Sequence, residues 1–168
     1  MSTCDAKISQ LTEMIARDWL LVTAGTAEHY NPITVNWVTC GYLWMKPVIT
    51  IFIRPERYTY QLLEQRTLFT ASFFAGKQRD ALNFCAGCSG REVKDKAVKA
   101  GLTAFVTAQG NIGYQAAELV LDCRVLYAQA LQAPAFLEPA VLENYYRTGG
   151  LHKMYVAEIV DRQEPGRN

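Results

Sequence analysis

The run V-I-T-I-F-I at residues 48–53 most constrains what this chain can fold into. Every residue in it is β-branched or aromatic, which suits a pleated sheet and costs side-chain freedom in a helix. Pro55 ends the run, because it has no N–H to give to a ladder. Residues 19–24, 33–38, 68–74, 104–108 and 154–160 read as further short strands. Leu119, Leu121, Cys123, Val125 and Tyr127 alternate with Asp122 and Arg124, predicting a long half-exposed strand. Gly25 to Pro32 reads as a turn, and Gly41 opens a loop that Met45-Lys46-Pro47 closes.

Helices are expected between these strands. Ile8, Leu11 and Ile15 recur at helical spacing within the first eighteen residues. Residues 58–66, 80–88, 93–100 and 139–146 also read as helical, with Gly101 stopping the third of these. Short strands dominate and helices fall in the loops, with no repeat and no linker. The pattern predicts one mainly β domain, a closed or nearly closed barrel with inserted helices, rather than a βαβ array.

Length agrees, since 168 residues match the usual size of one domain and bury enough surface for a core without a metal. Lys and Arg total 17 against 16 Asp and Glu, so the basic excess of a nucleic-acid binder is missing, as is support for an anionic membrane surface. No apolar run is long enough for a membrane-spanning helix. The start carries Asp5 and Lys7 without an apolar stretch, unlike a secretory signal. Five Cys, an odd number, then point to free thiols in a reducing cytoplasm.

No common catalytic motif is present. His29 and His152 lie far apart, and Cys85 and Cys88 lack a second ligand pair, so no metal site is expected. The C-A-G-C spacing leaves open a redox pair or plain packing at a helix end. Arg54 and Arg57 flank Pro55 where a strand meets a helix, a corner that suits phosphate or is an ordinary exposed turn. Ser89-Gly90-Arg91 offers a hydroxyl, a close backbone approach and a cation, or simply ends a helix. Thr34 and Asn36 share one face of a predicted strand, with Val35 and Trp37 on the other. Two polar side chains beside many aromatics could read the edge of a planar heterocycle, or face solvent.

Taken in order, these pieces resemble the flavin reductase-like family of FMN-binding split-barrel flavoproteins, in its flavoredoxin-like subgroup. The matching stretches are D-W-L-L-V-T-A-G (18–25), N-P-I-T-V-N-W (31–37), G-Y-L-W-M-K-P-V (41–48) and I-R-P-E-R-Y-T-Y (53–60). S-F-F (72–74), S-G-R (89–91) and H-K-M-Y-V-A-E-I-V (152–160) continue the match over nearly the whole chain. Departures occur at Asn36, where Ser is common, at Met45, where Asn is common, and at Cys40, in a tract often rich in glycine.

The resemblance implies one split-barrel domain over residues 1–168, a homodimer, and FMN near the subunit interface. It implies that Thr34, Asn36 and Trp37 contact the flavin or its ribityl chain. Arg54, Arg57, Tyr58 and Thr59 would hold the phosphate end, and Ser72 and Phe73 would line the pocket. Ser89, Gly90 and Arg91 would complete the phosphate cradle, with His152 near the pocket mouth. Flavin carries the electrons in such proteins, so no protein nucleophile is required. The implied function is an oxidoreductase using NADH or NADPH, with an electron carrier for a redox partner protein, or a flavin-binding sensor or interaction module, as alternatives.

Overall fold

The computed structural model describes residues 15–165. Seven strands form one antiparallel sheet: β1 (Leu20–Gly25), β2 (Tyr30–Val35), β3 (Val38–Leu43), β4 (Lys46–Ile53), β5 (Leu68–Phe73), β8 (Leu119–Ala130) and β9 (Lys153–Gln163). A hairpin of β6 (Ala104–Val106) and β7 (Ile112–Tyr114) stands apart from it. Helices α1 (Tyr58–Gln65), α2 (Arg79–Gly87), α3 (Lys96–Lys99) and α4 (Pro139–Tyr145) occupy connections. Residues 15–18 are helical; the remainder of the helix expected over the first eighteen residues lies outside the described residues.

The strand order β2-β1-β5-β8-β9-β4-β3 closes the architecture. Its two edge strands, β2 and β3, are neighbours in the chain, separated only by Asn36 and Trp37. Val35 and Val38 can lie at most about 11 Å apart, because each residue spans no more than about 3.6 Å. The sheet must therefore curl until its ends nearly meet, and no ladder joins them. This is a barrel split along one seam, as the pattern of short strands predicts.

Strand alternation separates two cores. Leu20, Val22, Ile49, Ile51, Phe69, Ala71, Phe73, Cys123 and Tyr155 fill the barrel, with Leu62 and Leu63 of α1 in the same cluster. Leu21, Phe74 and Val120 face outward and meet Leu82 and Cys85 of α2, Ala97 of α3, and Tyr114. Both faces of β1 are thus buried, which is why it reads as a continuous apolar run.

Several boundaries differ from the sequence reading. Asn31 and Pro32 belong to β2, where Pro32 pairs with Thr23, so the turn is confined to residues 26–29. The strand expected over 33–38 breaks at Asn36 and Trp37. Gly41 lies inside β3 rather than opening a loop, and only Trp44 and Met45 make the turn. Both have positive φ, 52° and 60°, in a two-residue hairpin that usually recruits Asn-Gly. Only residues 96–99 of the helix expected over 93–100 form. Strand β7 was too short to show a period.

Asp122 departs furthest from its expected place. Alternation predicts exposure, yet it is fully buried, beside a register irregularity at Asp122/Cys123. Its Oδ1 accepts hydrogen bonds from Thr107 Oγ1 (2.9 Å) and Asn111 Nδ2 (2.8 Å). Its Oδ2 is buried without a partner. Burial raises the pKa, and Asp161 adds to the rise. A carboxyl that is a weaker acid folded than unfolded binds its proton more tightly in the native state. Stability is then highest below the ordinary carboxylate range and is lost as pH rises through the folded-state value. Asp122→Asn should remove that decline and leave the protein at least as heat-stable as the parent near neutral pH. Melting temperatures over about pH 4–8 test this; a parallel pH profile in the variant contradicts it.

Candidate functional site

The seam is where many of the site residues expected from the sequence collect. A cavity of about 150 Å³ is lined there by Thr34, Asn36 and Trp37, by Phe52 and Arg54 from the end of β4, and by Arg57, Ala86 and His152. Thr34 Oγ1 donates to the Leu82 carbonyl at 2.5 Å, tying β2 to α2. Asn36 is exposed and Trp37 half-buried. They turn the corner between strands instead of alternating along one.

Residues between β8 and β9 form the outer wall. The Leu131 N–H donates to the His152 carbonyl at 2.9 Å and closes this excursion at its base. Trp37 stands 4.9 Å from the His152 ring and 5.4 Å from Tyr145, edge to face with the latter. Trp37, Phe52, Leu131, Val141, Tyr145 and Tyr146 enclose an apolar cleft of about 390 Å³ against the first cavity. The Tyr146 hydroxyl bonds His152 Nδ1 at 3.0 Å. Burial, and then the nearby Arg54 cation, pull the His152 pKa down to about 4, so its imidazole is neutral at pH 7.

Arg54 and Arg57 have different surroundings. Arg54 lines the cavity, but its Nη1 donates to the Thr148 carbonyl (3.1 Å) and its Nη2 to the Tyr145 carbonyl (3.0 Å). It thus clamps the C-terminal end of α4, rather than presenting a free fork as the sequence reading expected. Arg57 is exposed, and its side chain makes no hydrogen bond or ion pair among the described residues. It is the N-cap residue of α1, where the Tyr60 N–H bonds the Arg57 carbonyl at 3.1 Å and no side chain caps the N–H groups of the first turn.

A second cavity, of about 100 Å³, shares Ile33 and Arg57 with the first. Tyr58, Cys85, Cys88, Ser89, Gly90 and Lys96 also line it. Lys96 is only 5% exposed, and its Nζ donates to the Pro32 carbonyl at 3.0 Å. Desolvation lowers its pKa. An ammonium has three donors, and one bond leaves capacity for an anion. Sequence reasoning missed Lys96 because a lysine beginning a short helix carries no signal; only burial marks it.

The remaining predicted residues divide. Ser89 Oγ accepts the Arg91 N–H at 3.2 Å, and Arg91 Nη1 donates to the Glu56 carbonyl at 2.9 Å. Tyr58 bonds His29 Nε2 at 2.6 Å through its hydroxyl and carries Arg91 over its ring at 5.6 Å. Gly90 is required by packing, since a Cβ there would collide with Asn31 and Tyr58. Three expectations need correction. Thr59 is fully buried, accepts from Asn31 Nδ2 at 2.7 Å and lines neither cavity. Phe73 packs inside the barrel. Ser72, next to it, points to the other face with its Oγ buried and unpartnered. Strand alternation decides both, because β5 is central in the sheet and far from the seam.

Among the described cysteines, Cys40, Cys85 and Cys123 are placed for packing. Cys40, expected close to the pocket, packs against the barrel core from β3. Burial pushes the Cys85 thiol up to about 11 although Lys96 pulls it down. Cys85 and Cys88 lie at the C-terminal end of α2, where the helix dipole disfavours a thiolate.

Residues 13–168 match the flavin reductase like domain family. Among curated proteins none matches. An FMN-binding protein from Thermus thermophilus, solved with bound p-hydroxybenzaldehyde, superposes with a TM-score of 0.67 at 23% identity, over 89% of this chain and 73% of its own. A flavoredoxin from Methanosarcina acetivorans gives 0.66 at 17%, over 88% and 68%. An NADH:FAD oxidoreductase from Streptomyces globisporus gives 0.67 at 14%, over 98% and 85%. At these identities the neighbours establish the fold, a flavin reductase-like split barrel. The family match covers the strands, the seam and both cavities, and the chain belongs to the flavin reductase like domain family.

Proposed function

We propose that this protein binds FMN and passes reducing equivalents from a nicotinamide cofactor to or through it. The observation that carries the reading is a row of adjoining cavities along the seam that share lining residues, aromatic at one end and cationic at the other. The FMN-binding, flavoredoxin and NADH:FAD oxidoreductase neighbours support it.

The residues fit the group. A phosphate in the smaller cavity would meet Arg57, the buried Lys96, Ser89 and the first N–H groups of α1. The flavin ring would lie toward Thr34, Asn36 and Trp37, with neutral His152 at its rim. Flavin supplies the hydride and electron chemistry when bound. The chain's part is to hold the phosphate, to orient the ring against the seam and to shield it with the α4 wall. The apolar cleft between Trp37 and Tyr145 is where a second flat ring would enter. We also assign the protein to the cytoplasm, in keeping with its free thiols.

The pair of arginines tests the phosphate assignment. Arg57→Ala should weaken FMN about ten- to hundredfold and barely change riboflavin, since a charge-assisted bond is worth about 1.5–3 kcal/mol. Arg54→Ala loosens the wall instead, so FMN and riboflavin should change alike. Titration of both flavins by fluorescence decides; equal losses in Arg57→Ala reject the assignment.

Stopped-flow reduction of the FMN-loaded protein tests the enzyme reading. Reduction by NADH or NADPH should exceed about 1 s⁻¹, the lower end of ordinary turnover. Slower reduction by both, with rapid electron uptake from a redox protein, favours the carrier.

The homodimer is a further part of the proposal. Leu121 of β8 is buried in the barrel core. Tyr42, Leu43, Trp44 and Met45 instead expose 67, 42, 54 and 82% of their surface, with Tyr127 beside Trp44. A second copy would cover this hairpin tip. Light scattering should give twice 18.9 kDa at micromolar concentration, and Trp44→Glu should shift it toward the monomer. A monomeric parent protein contradicts the assignment.

A further inference from the structure

A hydrogen-bonded pair links the walls of the seam cavity and the apolar cleft. His152 lines the cavity, and Tyr146 lines the cleft. The Tyr146 hydroxyl and His152 Nδ1 lie 3.0 Å apart. His152 Nε2, the other ring nitrogen, makes no hydrogen bond among the described residues.

We propose that Tyr146 is a positioning residue: its phenol donates to His152 Nδ1, which places the ring's N–H on Nε2, free to donate to a ligand in the seam cavity. The inference rests on the flavin reading above for the identity of that ligand. It adds how the ring edge is recognised, by donation from Nε2 to a carbonyl oxygen.

The direction of the bond follows from a count of hydrogens. A neutral imidazole carries one N–H and a phenol one O–H. Among the described residues the Tyr146 hydroxyl has no partner except Nδ1. If Nδ1 carried the hydrogen, the phenol's own hydrogen would find no acceptor in the protein and Nε2 no donor. With the phenol donating, Nδ1 is satisfied and only the Nε2–H lacks a partner. The charges nearby agree. Burial and then Arg54 disfavour a cation on the ring, with Arg57 adding to them and Glu56 opposing. Burial also keeps the Tyr146 phenol protonated, against the pull of Arg54.

The rest of the geometry does not need the hydroxyl. Trp37 lies 4.9 Å from the His152 ring and 6.3 Å from that of Tyr146, and Phe136 lies 5.6 Å from Tyr146. The His152 backbone is held by the Leu131 N–H. Tyr146→Phe therefore removes the donor and keeps the wall.

The experiment joins NMR of the imidazole nitrogens to a double-mutant cycle. The chain has two His, and His29 bonds its own tyrosine through Nε2, so its ring serves as an internal control. At pH 7 the parent should show His152 with its N–H on Nε2 and a bare, hydrogen-bonded Nδ1. Tyr146→Phe should give a mixture of the two N–H forms and leave His29 as it was. Riboflavin and FMN, titrated by fluorescence, should each bind about three- to tenfold more weakly to Tyr146→Phe, the worth of one hydrogen bond between neutral groups. In a His152→Ala background the same change should move neither flavin by as much as about twofold. An N–H on Nδ1 in the parent overturns the proposal, as does flavin binding that Tyr146→Phe leaves unchanged. A loss that persists without His152 marks a packing role and overturns it too. Failure of both flavins to bind overturns the flavin reading alone, and the imidazole spectra of parent and Tyr146→Phe then decide the positioning role by themselves.

Discussion

The candidate site in this protein depends on the closure of one sheet by two residues. Asn36 and Trp37 connect strands that are first and last in the ladder order. Because the edges approach without pairing, the seam leaves backbone groups and side chains available to a ligand. A fully closed barrel would have used them in its own ladder. The site is thus a consequence of the topology, placed where the sheet fails to zip.

Two layers then set what faces the seam. The barrel interior is filled by alternate residues of every sheet strand, so no ligand can enter it. Helix α2 packs on the outside through Leu82 and Cys85, and Thr34 ties it to β2. That packing brings Cys88, Ser89 and Gly90 beside the start of α1. The carbonyl of Pro32 is held by Lys96, so the edge strand β2 also supplies the anchor for the buried cation. The burial of Lys96 is tolerable because its charge has that partner and a polar cavity next to it.

The β-rich pattern made the architecture legible, since short branched segments bounded by Gly and Pro admit few other arrangements. Residues near the seam were legible too: Thr34, Asn36, Trp37, Arg57, Ser89 and His152 all line its cavities. What failed were inferences that needed a facing partner. Ser72 and Phe73 belong to a central strand whose two faces are both buried, a fact that adjacency along the chain does not carry. Asp122 looked exposed by alternation, but the turn between β6 and β7 covers it with Thr107 and Asn111. Thr59 sits in the right helix turn, but its hydroxyl meets Asn31 instead of solvent. In each case a contact distant in sequence overrode a local pattern.

The arginines of R-P-E-R show how much one turn can decide. They are three positions apart and chemically identical. Pro55 forces the chain out of β4, and the Arg57 N–H closes the turn on the Arg54 carbonyl at 3.0 Å. Arg54 is left pointing back along the strand end, where it meets the exposed carbonyls of α4 and Thr148. Those carbonyls carry the negative end of a helix, so the guanidinium is electrostatically matched there. Arg57 begins α1, where the backbone is positive, and its side chain makes no ion pair among the described residues. A cation at a helix N-terminus is unfavourable unless an anion comes between them. The same turn therefore makes one arginine a strut of the wall and leaves the other as a charge whose natural partner is a ligand.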